Sequence, residues 1–431
     1  MSSGCGVTFR NFVLLFATLC TGCSTDEARS PWTGSVTDSA GVTIVSNSDE
    51  PIWNDADRWT VEQDLVIGAV EGDPNYLFGD ITGICVGTDR RIYVLDQAGT
   101  MKVRVYTSDG VFLDAFGQAG NGPGEMGNIV GPCLMAPGDT LHIPDQQNRR
   151  VNRYASDGSS VGNVRFDIQQ GIPMGWGVDS DGRILQQLRP RETAYQVTDS
   201  GVDFVVVLSN DGVVTDTLVE LPSGRLVIRS GGGGTFKFFA KEPNWATTTD
   251  GHIIYGTNDN YWIGMSDGSG NLVRVTTKSY EPQSIGEADR AVVIGVIAEG
   301  MQGLGLPAAV IERGLGTLQF AEFYPAFHRL LSGPRGSIWA QGVTVVDSLS
   351  EQDRNTLSDF PGGLEALGSN PHLLFGSRNW DVFDADGRFL GEVAMPAGFT
   401  PTKFVGEKIY GVWKDELDVE YVMRLTVVIP E

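Results

Sequence analysis

The chain has 431 residues, of which 41% are hydrophobic, enough for a substantial core, so wholesale disorder is excluded. Its 56 glycines are about twice the usual share, which favours many short strands and turns over long helices. A formal net charge of −23 excludes the lysine and arginine footprint that nucleic acid requires; it leaves room for cationic partners or divalent ions, or serves solubility alone.

The chain begins with a targeting segment. Arg10 precedes the apolar run FVLLFATLC (12–20), about half the length of a membrane-spanning helix, and small residues and Cys23 follow. This resembles a bacterial lipoprotein signal over residues 1–22, with Cys23 as the residue that would receive lipid. Cys20 stands where that pattern usually has leucine, so a secreted or periplasmic form without lipid remains the alternative. Residues 24–40, within a segment 23–58 ahead of the main domain, read as a flexible tether. Cys85 and Cys133 are the cysteines left for the folded part. They occupy matching places in neighbouring repeats, expected somewhat beyond the roughly 7 Å Cα limit for a disulfide, and so read as small buried thiols. The CxxC formed by Cys20 and Cys23 falls in the signal-like segment, and the rest of the chain has neither CxxC nor HExxH, so the strong zinc motifs are absent from the folded part.

The body of the chain repeats. KVRVYTSDGVFLDAFG (102–117), RVNRYASDGSSVGNVRF (150–166), FVVVLSNDGVVTDTLVEL (204–221) and WDVFDADGRFLGEVAM (380–395) each read strand, Asp-Gly turn, strand. YWIGMSDGSGNLVRVTTKS (261–279) is a looser copy. A second hairpin precedes each, as in ITGICVGTDRRIYVLD (81–96) and IVGPCLMAPGDTLHIPD (129–145), giving six first hairpins. Six units of four antiparallel strands cannot bury both faces singly, but packed radially they can. The fold class is therefore all-β, a six-bladed β-propeller over residues 59–431. The last unit ends after three strands at YVMRLTVVIPE, so WTVEQDLVIG (59–68) is expected to close the ring. The glycine-rich stretch FGQAGNGPGEM (116–126) then links two blades. It feeds a strand and is followed by no lysine, so it is not a phosphate loop.

GNGPGEM (120–126), DQQNRRVNRYASDG (145–158) and IYVLD with VRVYTSDG (92–96, 103–110) resemble the NHL repeat family. Ile81 and Ile129 replace the proline of that pattern, and the later blades match mainly by spacing. The resemblance covers roughly residues 59 to 431 and looks closest to secreted bacterial six-bladed propellers. It implies the fold and leaves the chemistry open.

Two insertions depart from the repeat. Residues 284–323, between blades 4 and 5, open with the capping-box pattern Ser284-x-x-Glu287, continue with Ala291, Ile294, Ala298 and Met301 at helical spacing, and offer Pro307 as the start of a second helix. Residues 342–378 fall between the second and third strands of blade 5. Strand parity brings both insertions out at one mouth of the central channel, either as a functional face or as a cover for apolar blade tops. Asp80, Asn128, Asn244, His328 and Arg329 start inner strands there, and Asp96 and Asp145 end second strands, with Asn148 and Arg150 beside them. The aspartates suit loop-backbone bonds, each worth roughly 1 kcal/mol net. His328 and Arg329 are not demanded by the repeat. His142 replaces the tyrosine of IYVLD and should pack between sheets or against a loop. His252 falls in a hairpin turn, and His372 lies in the second insertion.

These residues point to a binding module in the bacterial cell envelope, outside the cytoplasm, held to the membrane only through lipid on Cys23. Its partner would be a protein or small-molecule ligand at the mouth, without a cofactor. Two alternatives stand beside it. A metal-dependent, lactonase-like hydrolase or lyase would use Asp80, Asn128 and Asn244, with calcium as its cofactor. A structural envelope protein would have a plugged channel. The string GxSxG appears at 158–162 and 264–268, but both copies lie within hairpins of the repeat rather than in a strand-to-helix turn, so neither reads as a nucleophile elbow.

Overall fold

The protein, seen in a computed structural model, is described over residues 32–98, 101–127, 131–191, 201–223, 237–346 and 376–430 and at the single positions 1, 349, 351 and 354. The signal-like segment with Cys23, Asn128, His372 and most of the second insertion lie outside the described residues.

Six four-stranded antiparallel sheets form the blades. Blade 1 is β4 (Ile81–Val86), β5 (Ile92–Asp96), β6 (Lys102–Tyr106) and β7 (Phe112–Phe116). Blade 2 is β8 (Leu134–Ala136), β9 (Thr140–Asp145), β10 (Arg150–Tyr154) and β11 (Ser160–Arg165). Blade 3 is β12 (Ile172–Val178), β13 (Ile184–Arg189), β14 (Gly201–Leu208) and β15 (Val214–Ser223). Blade 4 is β17 (Pro243–Thr247), β18 (Ile253–Thr257), β19 (Trp262–Ser266) and β20 (Leu272–Lys278). Blade 5 is β22 (Leu330–Ser332), β23 (Ile338–Val343), β24 (Gly376–Phe383) and β25 (Phe389–Ala394). Blade 6 is β26 (Phe399–Val405), β27 (Lys408–Lys414), β28 (Glu420–Val428) and, from the other end of the chain, β3 (Thr60–Ile67). β3 pairs antiparallel with β28, from Ile67 opposite Val422 to Thr60 opposite Val428, so the ring closes as the sequence predicts.

The Asp-Gly turns are type I turns followed by a glycine bulge. Gly110 has φ 80°, while Asp109 keeps a negative φ, and the pairing shifts register between Val105 and Tyr106. Second strands of the blades, such as Ile92–Asp96 and Ile184–Arg189, are buried at every position, so both of their faces pack against neighbouring blades. Six apolar clusters result among the described residues, one at each junction between neighbouring blades. Each fully buried Leu, Ile or Val in them contributes roughly 1.5–3 kcal/mol of transfer free energy.

The expected tether gives way to structure at Ser35. β1 (Ser35–Ser39) and β2 (Val42–Asn47) form a hairpin, and β2 pairs parallel with β20, widening blade 4 to six strands. The buried side chain of Asn47 fixes it there. Its amide donates to the Thr277 and Gly387 carbonyls and accepts from the Phe389 N–H and the Trp32 indole. The chain then runs along the edge of blade 5, where the Ile52 and Trp53 N–H groups donate to Phe389 and Leu390, before entering blade 6. Trp53 and Trp59 pack into the core between blades 5 and 6. The N-terminal segment is thus a belt around three blades.

Cys85 and Cys133 are not free thiols. They form a disulfide, with Cα atoms 5.5 Å apart. Inner strands converge on the axis, and Gly83 lets them approach: a Cβ at Gly83 would sit 2.4 Å from the Cys133 nitrogen. The pair joins the inner strands of blades 1 and 2 within their shared core.

The first insertion holds α1 (Glu287–Gly303) and α2 (Ala308–Leu315). α1 starts two residues later than the Ser284 pattern suggests. Gly286 is its N-cap and donates its N–H to the Asp289 carboxylate, while Ser284 bridges to Phe323. Its buried face is Val293, Val296, Ile297 and Met301, and Ala291 is exposed. The helices do not lie flat on blade tops. They share a separate core with Phe238, Phe239, Tyr324, Val346 and Leu349, so the linker between blades 3 and 4 is a third contributor. β16 (Lys237–Phe238) pairs parallel with β21 (Gln319–Phe320) across this cap.

Candidate functional site at the channel mouth

At the mouth, most polar groups serve the fold. The Asp96 carboxylate accepts from the backbone N–H groups of Gly79, Asp80 and Ala98 and pairs with Arg104. Asp145 accepts from the Gly127 and Asn148 N–H groups and from the Asn148 and Asn152 amides, with Arg150 3.6 Å away. Both are buried, and these bonds use up their acceptor capacity, so neither is available to a ligand. Arg150 in turn donates to the carbonyls of Asn121, Gly122 and Glu125. The glycine-rich link therefore presents carbonyl oxygens to a cation, the opposite polarity to a phosphate cradle.

The acid–base pair between second and third strands recurs with its sign exchanged. In blade 3, Arg189 on β13 makes a two-pronged pair with Asp203 on β14, and Gln187 donates to the same carboxylate. In blade 6, Lys414 stands opposite Glu420 at 3.1 Å, and Glu420 also accepts the Ile81 N–H across the ring seam. In blade 4, Asn258 takes the acid's place and accepts the Glu242 N–H. In blades 3 and 4 this keeps buried polar groups satisfied, which the low dielectric of the core demands.

Other sequence-derived candidates are placed individually. Asp80 precedes β4; burial, then the nearby Glu420 and Asp96 charges, raise its carboxyl above the ordinary 3.8. Asn244 on β17 donates to the Glu242 carbonyl at 3.4 Å. His328 is buried just ahead of β22, and its backbone N–H donates to Gln341 on β23. Among the described residues no three His, Cys, Asp or Glu side chains converge on a common ion site.

Arg329 differs from the other mouth cations. It donates to the Pro401 carbonyl at 2.5 Å and lies 5.5 Å over the Trp380 ring, and its buried Nε has no partner. Burial alone lowers its pKa to about 10. Two residues past Pro401, on the inner strand of blade 6, burial alone also lowers Lys403 to about 8. Both residues are half-buried. Arg104, Arg150, Arg189 and Lys414 each have a carboxylate; Arg329 and Lys403 have none among the described residues. Sequence reasoning missed Lys403 because the last first hairpin was read from Phe404, whereas β26 begins at Phe399. A lysine inside that inner strand was the available signal.

Residues 70–174 match a family described as a 6-bladed beta-propeller, DUF5128. Among solved structures, a DUF4221 family member from Bacteroides vulgatus aligns over 87% of this chain and 99% of its own, at 10% identity and TM-score 0.50. A Bacteroides fragilis protein proposed to be exported aligns over 89% and 99% at 12% identity and TM-score 0.49. A gluconolactonase from Xanthomonas campestris aligns over 85% and 99% at 12% identity and TM-score 0.42. At these identities the likeness is one of fold. Among curated proteins, none matches the sequence.

Proposed function

We propose that this six-bladed propeller is an exported, lipid-anchored binding module of NHL-like type that takes an anionic ligand at the channel mouth, beside the helical cap. The observation that carries this reading is the pair Arg329 and Lys403. A desolvated cation without a carboxylate costs several kcal/mol that a hydrophobic residue would not. In a chain of net charge −23, carboxylates to pair them were plentiful, and the other blades use them. A site that must attract an anion has to leave its cations unpaired. Inorganic phosphate is the first probe. Millimolar phosphate is expected to raise the melting temperature of the wild type by several degrees and to leave an Arg329→Met, Lys403→Met double variant unmoved. Equal shifts in both proteins would remove the mouth as the anion site.

Export is supported by the apolar run 12–20 ahead of Cys23 and by the Cys85–Cys133 disulfide, a bond that persists in oxidising compartments. Cys23→Ser should move the protein from the membrane fraction to the soluble fraction; retention in the membrane would end the lipid-anchor reading.

A further inference from the structure

A second polar recess lies at the opposite face, between blades 2 and 3. It is a cavity of about 360 Å³ lined by Thr140, His142, Arg153 and Asp181 among others, within the size range of small-molecule sites. Its origin is legible by comparison with blade 1. There Tyr93 fills the equivalent space toward blade 2, and its hydroxyl donates to the Ser156 carbonyl. Blade 2 has His142 at that position and Arg153 in place of Val105. In the outer strand, Gly162 pairs with Arg153, and a Cβ built there would meet nothing within 4 Å. Three replacements along one cross-strand row thus exchange a filled junction for an open one.

The groups left in the recess are not satisfied by the fold. His142 is only 5% exposed, and its buried Nδ1 has no partner. Burial, helped by the charge of Arg153, lowers its pKa to about 4, so the ring is neutral near pH 7. Arg153 donates Nη1 to Asn210 of blade 3 at 3.1 Å, while its buried Nε has no partner. That bond holds one arm of the guanidinium, whose charge lines the recess without a carboxylate of the fold on it among the described residues and so suits a ligand carboxylate. Asp181 at the rim is exposed; it would accept a ligand hydroxyl and disfavours a second negative charge. We propose that this recess binds a hydroxylated monocarboxylate of about monosaccharide size, its carboxylate on Arg153 and its ring against His142 and Thr140.

The test uses the full chain and D-glucuronate as probe, with D-glucose as the uncharged control, followed by calorimetry. D-Glucuronate should bind at least tenfold more tightly than D-glucose. Arg153→Gln should remove that preference. His142→Tyr, which restores the residue type of blade 1, should abolish binding with the melting temperature retained. Equal affinity for the two sugars, or wild-type affinity in Arg153→Gln, overturns the proposal even if His142→Tyr does not fold.

Discussion

Lys403 carries a signature in the pH dependence of stability. Its folded-state pKa is lowered to about 8 from 10.5, so between these values the folded protein binds fewer protons than the unfolded chain. Stability contributed by this group therefore rises with pH across that window. Lys403→Met should be more stable than wild type at pH 7 by about 1–3 kcal/mol, and the advantage should vanish near pH 10.5. Urea unfolding at the two pH values checks this; a constant difference would mean that the amine is well solvated. Asp80 has the reverse slope. Its carboxyl is raised, so it favours the fold in acid and loses that contribution as pH rises through the raised value. Asp80→Asn should gain relative stability at pH 7 but not at pH 3, by the same assay. The two residues differ in how visible they were. Asp80 stood where the repeat places an inner strand's first residue, whereas Lys403 required knowing where β26 begins.

Among elements, the inner strands of blades 1 and 2 are joined covalently. Reduction of Cys85–Cys133 should cost about 2–4 kcal/mol, read as a lower urea midpoint with dithiothreitol. Unchanged midpoints would mean that the bond adds nothing to the packed junction. The sequence showed the strands but not the bond. Strand spacing in an isolated sheet says nothing of how closely two inner strands approach at an axis, and the residue that permits the approach is a glycine among many. The belt was illegible for a related reason. β1 is exposed at all five positions, so it has no buried face to leave an alternating pattern. β2 finds its partner more than 200 residues away. By contrast, blades and cap helices were legible, because alternation and helical spacing are local. Even so, the buried stripe of α1 depended on the separate cap core and came out displaced from the one expected. At the mouth, the structural use of Asp96 and Asp145 followed from the repeat, but the sign exchange in blades 3 and 6 could be seen only once the strands were paired.

At the scale of the whole molecule, closure rests on β3. Deleting residues 59–68 removes every pair it makes with β28 and separates the belt from blade 6. The variant should lose its single cooperative thermal transition, as followed by calorimetry; an unchanged melting temperature would sink the closure scheme. The two proposed sites lie at opposite faces of the ring, so a ligand at one leaves access to the other open.

The belt also has a consequence in time. Residues 35–67 are synthesised first, yet their partners lie in 272–278, 389–390 and 422–428. At ordinary rates of chain growth, the opening strands wait some tens of seconds for a place. Blades 1 to 3 can assemble in that interval; the ring cannot shut. Contacts of such long range are slow to form and leave unpaired edges exposed meanwhile. A chain halted before Glu420 would therefore lack more than its last strand, since β3 would have no partner and blade 6 would stay open at the seam.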